Sequence, residues 1–205
     1  MEGSKKVAVI TCSMRSPRVN PYVSEYVKEV MERVGRKDLS IHHVDMKQYE
    51  LSFYSEPVIP AQLPVENPTP HYAFESTRSW SQEISKYDGF VFVTPQYNWS
   101  IPASLKNGVD HLFYEWKGKA AGIVSYGGRG GAKATNHLRD ILTGIKMNQV
   151  DTAPAISLSG NTLNDAEKLG RVTDEQQKKW NEAGVEDAII EMTNQINLQL
   201  FKDHE

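Results

Sequence analysis

The chain has 205 residues, 39% of them hydrophobic and 24% charged, with a formal net charge of −3. That is the size of one domain with a full core, and the slightly acidic balance argues against a dedicated nucleic-acid binder, which presents a basic face. A single cysteine, Cys12, excludes an intramolecular disulfide and any cysteine-based metal site. No run approaches the roughly 20 apolar residues of a membrane helix, and residues 1–6 lead into an apolar run too short for a signal-peptide core. A soluble, cytoplasmic protein is expected.

In chain order, Val7-Ala8-Val9-Ile10 reads as a buried strand: short, aliphatic and without a polar face. A polar loop follows. Asn20-Pro21 then reads as a helix N-cap with proline at the first helical position. The helix places Val23, Val27, Val30, Met31 and Val34 on one face, and Glu25, Lys28, Glu29, Glu32 and Arg33 on the other. A second strand is expected over 40–44. The stretch carrying Pro57, Pro60, Pro64, Pro68 and Pro70 is expected to be a long loop without regular structure, of the kind that serves function or an interface. A helix over 74–85 leads to a third strand over 90–93.

The next helix spans 101–112, with Ser100 as its cap. A fourth strand over 120–125 runs into a glycine-rich turn, then a helix with Leu138, Ile141, Leu142 and Ile145 inward. A fifth strand over 150–157 contains Pro154, which cannot donate to a ladder, so it belongs at a sheet edge. Residues 159–172 read as an irregular connection. Thr173-Asp174-Glu175-Gln176 has capping-box form and opens one last helix, with Trp180, Val185, Ile189, Met192 and Ile196 apolar. No internal repeat is present. The alternation predicts a single α/β domain over residues 1–205, with helices on both faces of a five-stranded parallel sheet.

Three loops carry the chemistry. The first, Thr11 to Asn20, offers small hydroxyls, Arg15, Arg18 and a helix N-terminus, a set suited to phosphate. It lacks both G-x-G-x-x-G and a Walker lysine, which favours a mononucleotide. Composition alone fits a polar surface loop equally well. The second loop reads Thr94-Pro95-Gln96-Tyr97-Asn98-Trp99-Ser100-Ile101-Pro102 and continues to Leu105-Lys106-Asn107-Gly108-Val109-Asp110. A strand, a tight aromatic loop and a helix are how an α/β sheet presents backbone to a flat ligand. The third is Ser125-Tyr126-Gly127-Gly128-Arg129-Gly130-Gly131, where glycines allow close approach.

These loops resemble those of the NAD(P)H-dependent FMN reductase family, over roughly residues 6–144. The family pattern P-x-Y-N-x-S-I-P-x-x-L-K-N-x-x-D is matched by Pro95, Tyr97, Asn98, Ser100, Ile101, Pro102, Leu105, Lys106, Asn107 and Asp110, with Gln96 where glutamate is commoner. The pattern G-S-x-R-x-x-S-x-N is matched by Ser13, Arg15 and Asn20, with Cys12 and Arg18 as departures. The resemblance implies a three-layer flavodoxin-like fold with strand order 2-1-3-4-5, which agrees with an edge position for the fifth strand. It implies an FMN whose phosphate meets Ser13, Arg15, Arg18 and Asn20. It places the ring against Pro95, Gln96, Tyr97 and Asn98, and against the second flavin loop of Ser125, Tyr126, Gly127 and Gly128.

NADPH or NADH would be the hydride donor, and FMN, quinones, azo compounds or metal oxyanions the acceptors. Surplus arginines, Arg18, Arg78 and Arg129, tilt the donor toward NADPH. The family forms homodimers or dimers of dimers in which the partner helps wall the site; the proline-rich loop, Tyr54 and Tyr72 are candidates for that wall. Tyr97, Trp99 and Trp116 would line the site or a dimer contact, while Lys106, Asn107 and Asp110 would serve helix packing or a subunit interface rather than chemistry. Hydride transfer needs no protein acid or base, and no catalytic side chain or metal ligand is expected: His42 and His43 face opposite sides of a strand, and His111 and His137 lie on helices. Cys12 is read as a buried packing residue. Two alternatives stay open, a flavodoxin-type electron carrier and a flavin-based redox-sensing interaction protein.

Overall fold

The computed structural model describes residues 4–201. Its strands are β1 (Lys5–Thr11), β2 (Leu39–Asp45), β3 (Gly89–Pro95), β4 (Ala120–Gly127), β5 (Asn148–Gln149) and β6 (Ala155–Ser157). Its helices are α1 (Asn20–Val34), α2 (Glu75–Ile84), α3 (Ala103–Asp110), α4 (Ala132–Gly144), α5 (Thr162–Leu169), α6 (Asp174–Glu182) and α7 (Val185–Leu200). All strand pairs are parallel, in the order β2-β1-β3-β4-β5, and β6 also pairs with β4. This is the flavodoxin-like order expected from the sequence.

The apolar strands have no polar face because both faces of the sheet are covered. Val7, Val9, Val91, Val93 and Val124 pack with the α1 stripe of Val23, Val27 and Val30 and with Ile189, Met192 and Ile196 of α7. Ala8, Ile10, Phe90, Phe92 and Ile123 point the other way, toward Trp80, Leu105, Trp116, Leu138 and Leu142. Trp116 is fully buried there, its ring centroid 4.9 Å from that of Phe90. It belongs to the core and lines neither a site nor a dimer contact.

Several expectations are corrected. The fifth strand is split: β5 and β6 both pair with β4, and the intervening segment keeps contact through the Pro154 carbonyl, which accepts from Ser125 N–H at 3.0 Å. Its edge position stands. Residues 162–169, expected to be irregular, form α5. The single last helix is two, broken at Gly184, whose φ of 76° is a left-handed value that glycine adopts without penalty. Thr173 does cap α6, accepting from Gln176 N–H at 3.1 Å. Ser100 caps nothing: α3 starts at Ala103 with Pro102 before it.

The proline-rich segment has no long elements, only two short 3₁₀ turns, Pro60–Gln62 and Thr69–His71, after a third at Met46–Tyr49. It is nevertheless tied down. Asn107 donates from Nδ2 to the Ser52 carbonyl and accepts the Tyr54 N–H at Oδ1, both at 2.8 Å. Tyr72 is buried, and its hydroxyl donates to the buried Glu115 carboxylate at 3.1 Å. Ser81 donates to the same carboxylate at 2.5 Å. Tyr72 therefore anchors the loop and is not available as an active-site wall; Tyr54 remains partly exposed.

Lys119 lies at the opposite rim of the sheet from the strands' carboxyl ends. Its ammonium is 3.2 Å from the Ile84 carbonyl and 5.4 Å from the Phe90 ring centroid, and burial pushes its pKa down from 10.5 to about 8. Between those two values the unfolded chain binds more protons, so this residue's contribution to stability rises with pH through that window and is poorest below pH 8. Lys119→Met is expected to stabilise the protein by about 1–2 kcal/mol at neutral pH. Urea denaturation should show that gain shrinking toward pH 9.5; a gain independent of pH would refute the assignment of its origin to the buried charge.

Candidate functional site

Four loops meet at the carboxyl ends of the strands: 12–19 after β1, 96–102 after β3, 128–131 after β4 and 158–161 after β6. That edge is where open α/β sheets bind ligands. A cleft of about 260 Å³ opens between them. Arg15 and Arg18 line it from the first loop, Pro95, Gln96 and Tyr97 from the second, and Tyr126 and Gly127 from the third.

The first loop is shaped from within. Asn20, expected as a cap, is instead the first helical residue and fully buried. Its Oδ1 accepts from Ser13 N–H at 2.7 Å, and its Nδ2 donates to the Val93 carbonyl at 3.1 Å. The amide bolts the loop to the end of β3 and has nothing left to offer a ligand. Ser13 is buried too, its Oγ 2.8 Å from the Tyr97 hydroxyl. Cys12 is sealed in the core, and burial pushes its thiol well up, so it stays protonated.

The two arginines differ. Arg18 reaches back to β2, forking onto the Asp45 carboxylate, and donates to the Ser13 carbonyl at 2.6 Å. Both side chains of that ion pair are largely shielded from solvent. Arg18 thus braces the loop, and its charge is already matched. The Arg15 guanidinium has no partner among the described residues and lines the cleft. Arg78 is committed as well, to Glu75 and to the Tyr72 and Ala73 carbonyls. Of the three arginines behind a preference for NADPH, only Arg129 is unengaged.

The second loop makes a two-residue reversal. Tyr97 N–H meets the Ser100 carbonyl at 2.9 Å, and Ser100 N–H meets the Tyr97 carbonyl at 3.0 Å. Asn98 and Trp99 take φ of 45° and 68°, the positive pair of a type I′ turn. Asparagine tolerates this, but tryptophan rarely does. The turn holds because it is docked on α4: Gln96 Oε1 accepts from Lys133 N–H at 3.0 Å, and Ser100 Oγ is 2.8 Å from His137 Nδ1. Trp99 is left 70% exposed, with the Lys133 ammonium 5.5 Å from its ring centroid. Asn98 lies in the turn rather than on the cleft wall.

In the third loop Ser125 turns inward. Its Oγ donates to the Gly130 carbonyl at 2.7 Å and accepts from Thr135 at 2.9 Å. It shapes the turn and does not face the cleft. Gly131 has φ of 81°, and a Cβ there would lie 3.0 Å from the Ser125 Cβ, so only glycine fits. A Cβ on Gly128 would meet nothing within 4 Å, so the backbone there is open to approach. Tyr126 is buried along its ring, and that burial holds its hydroxyl protonated far above the usual range.

The sequence reading missed one wall. Leu158, Ser159, Gly160, Thr162 and Leu163 close the cleft opposite Gln96 and Tyr97, joined by Val19. A signal was present: a strand followed by Ser-Gly-Asn-Thr, with Leu163 and Ala166 at helical spacing. Among the described residues no cluster of three or more His, Cys, Asp or Glu side chains is set to hold a metal.

Residues 5–161 match the family described as NADPH-dependent FMN reductase. Over 150 residues, the chain is 44% identical to the NAD(P)H-dependent FMN reductase LOT6 of Saccharomyces cerevisiae, covering 71% of this chain and 77% of that one. It is 34% identical over 197 residues to the NAD(P)H-dependent FMN reductase ntnL of a Nectria species, covering 93% and 94%. The solved structure of FerB, a flavoenzyme NAD(P)H:(acceptor) oxidoreductase from Paracoccus denitrificans, matches with a TM-score of 0.63 at 25% identity, covering 93% and 97%. Further relatives bear the name quinone reductase.

Asn20 yields a test of the loop geometry. Asn20→Ala strands a buried N–H and a buried carbonyl, at a cost of about 2–3 kcal/mol. Thermal unfolding should show that loss. A variant as stable as the parent would mean that the bridge between the first loop and β3 does not hold the site together.

Proposed function

The chain belongs to the NADPH-dependent FMN reductase family, flavin-dependent oxidoreductases that take hydride from NAD(P)H, and we propose that the four-loop cleft is where this chain holds its FMN. The observation that carries the reading is a positive site without an internal counter-charge. The unpartnered Arg15 guanidinium lines the cleft, and the adjoining α1 begins at Asn20 with Val19 in the cap position and no side-chain cap. A phosphate suits both: the guanidinium supplies forked donors, and the helix end supplies partial positive charge.

Each residue then has a part in binding or orientation. Arg15 binds the phosphate, while Arg18, Ser13 and Asn20 fix the loop that carries it. Pro95, Gln96, Tyr97, Tyr126 and Gly127 present a wall for the ring, and Gly128 lets the ring edge approach the backbone. The N-terminus of α4, at Ala132, sets partial positive charge behind that turn. Asn98 acts through the turn it shapes. Bound FMN supplies the two-electron chemistry, accepting hydride and passing it on. The cleft lining holds no carboxylate or imidazole, so the chain's work is to position partners and exclude water.

The acceptors proposed are flat and electron-poor: free FMN, quinones and azo compounds. The names of the quinone-reducing relatives support that choice. The cellular setting proposed is the reducing cytoplasm, consistent with one unpaired cysteine. A homodimer or dimer of dimers is part of the same proposal. It is supported by Phe53, Ile59 and Val65 on and just before the proline-rich segment, exposed by 85%, 59% and 64%, since one segment with several exposed large apolar side chains is material for an interaction surface. Sedimentation at micromolar concentration is expected to give at least two copies; a monomer would remove that part.

The central test is spectroscopic. Purified protein supplied with FMN should show a flavin spectrum that bleaches on anaerobic addition of NADPH or NADH. A spectrum that stays oxidised would point to an electron carrier, and failure to take up FMN would sink the proposal. Arg15→Ala should weaken FMN binding by about 1.5–3 kcal/mol, the size of a charged hydrogen bond, read as a rise in Kd at unchanged thermal stability. Unaltered affinity would show the phosphate loop to be misassigned.

A further inference from the structure

A second cavity, of about 340 Å³, adjoins the cleft and shares Ser159, Gly160 and Thr162 with it. The two meet at those three residues. The character changes there: beyond the shared residues the walls are Asn161, Asp165, Thr173, Glu175, Gln176 and Lys179, with no apolar side chain. Much of this wall lies on α5 and α6, past the segment that matches the family.

Gln176 is the centre of the cavity. It is 6% exposed, and its Oε1 accepts twice, from Ser159 Oγ at 2.7 Å and from Thr162 Oγ1 at 3.0 Å. Its backbone N–H goes to Thr173. Its Nε2 amide has no partner among the described residues. The residue is otherwise buried, so this donor is free to meet a polar group in the cavity that it lines. Two further groups stand ready. The N-terminus of α5 has no side-chain cap, so it offers amide donors. The Asp165 carboxylate, also unpartnered, offers acceptors. Glu175 and Lys179 satisfy each other at 2.7 Å.

A ligand that meets this set must both donate and accept within one small group. A ribose diol does so, because each hydroxyl does both. A phosphate only accepts, and here it would stand among Asp165, Glu175 and Lys179, whose formal charges sum to −1. We propose that this cavity is the subsite for the adenosine ribose of the hydride donor, with the Asp165 carboxylate accepting a hydrogen bond from the 2′-hydroxyl and discriminating against a 2′-phosphate. The inference rests on the reading that the adjoining cleft holds FMN, and it assigns donor specificity to residues outside that cleft. The distal half of NADH is thereby favoured over that of NADPH at this subsite.

The test uses redox-inert probes. ADP-ribose and its 2′-phosphorylated form are titrated calorimetrically onto FMN-loaded protein and onto its Asp165→Asn variant, with KM for NADH and NADPH measured in parallel. ADP-ribose should bind the parent roughly tenfold more tightly than the phosphorylated form. Asp165→Asn should bring the two probes close together and move the KM ratio in step, while the Kd for FMN stays put. Equal binding of both probes by the parent would overturn the proposal, as would a ratio that Asp165→Asn leaves unchanged. A shift in FMN affinity would do so as well, by assigning the cavity to the cofactor. A protein that takes no FMN fails the earlier reading instead, and the same titration on the flavin-free chain still reads this cavity.

Discussion

A parallel sheet covered on both faces has room for polar chemistry only at its strand ends. Here the alternation along β1, β3 and β4 sends one set of side chains to α1 and α7 and the other to α2, α3 and α4. Four loops therefore turn at the carboxyl edge, and each must satisfy backbone groups that have left the ladder. The chain does this with side chains. Asn20 takes the Ser13 N–H and the Val93 carbonyl, Ser125 takes the Gly130 carbonyl, and Gln96 takes the Lys133 N–H. The polar residues of the loops are thus divided between those that hold the loops and those that remain for a ligand. Arg18, bound to Asp45, falls on the first side and Arg15 on the second.

The same division explains the strain at Asn98 and Trp99. Two consecutive non-glycine residues at positive φ cost free energy that the turn itself does not return. The return comes from docking, since the flanking residues Gln96 and Ser100 both bind α4. The second loop is thereby tied to the helix that follows the third. A wall made of residues from both, Pro95 to Tyr97 and Tyr126 to Gly127, keeps its spacing without a ligand to impose it, and such preorganisation lowers the cost of binding.

The sequence displayed whatever rests on periodicity. The aliphatic runs at 7–10 and 90–93, the α1 stripe and the apolar positions from Trp180 to Ile196 all take the places expected of them. The motif of the second loop located the cleft. What it could not display is how a polar side chain is spent. Ser13, Asn20 and Ser125 have the composition of ligands, yet the structure buries them with their hydrogen bonds made. Local pattern is equally silent about the burial of Tyr72 and Trp116, which is decided by partners distant in sequence, Glu115 and Phe90. The breaks at Gly184 and within the fifth strand were missed because a continuous apolar pattern reads across a single left-handed glycine or an edge proline.

In the proposed assignment, the C-terminal third separates two demands that would compete in one cleft. A flavin site must be rigid and positive, whereas a site that chooses between donors must answer to a single substituent. The four-loop cleft draws its walls mainly from residues 15–127, with Leu158 to Leu163 closing it. Asp165 and Gln176 sit on α5 and α6, and of these two helices only the first turn of α5, through Thr162 and Leu163, lines that cleft. Thr173 caps α6, and Gln176 is oriented by that helix and by the hydroxyls of Ser159 and Thr162, not by the loops after β1, β3 and β4. Substitutions at Asp165 can therefore alter the charge met by the far end of a dinucleotide without moving Arg15, Tyr97 or the 127–131 turn, and donor preference becomes separable from flavin retention.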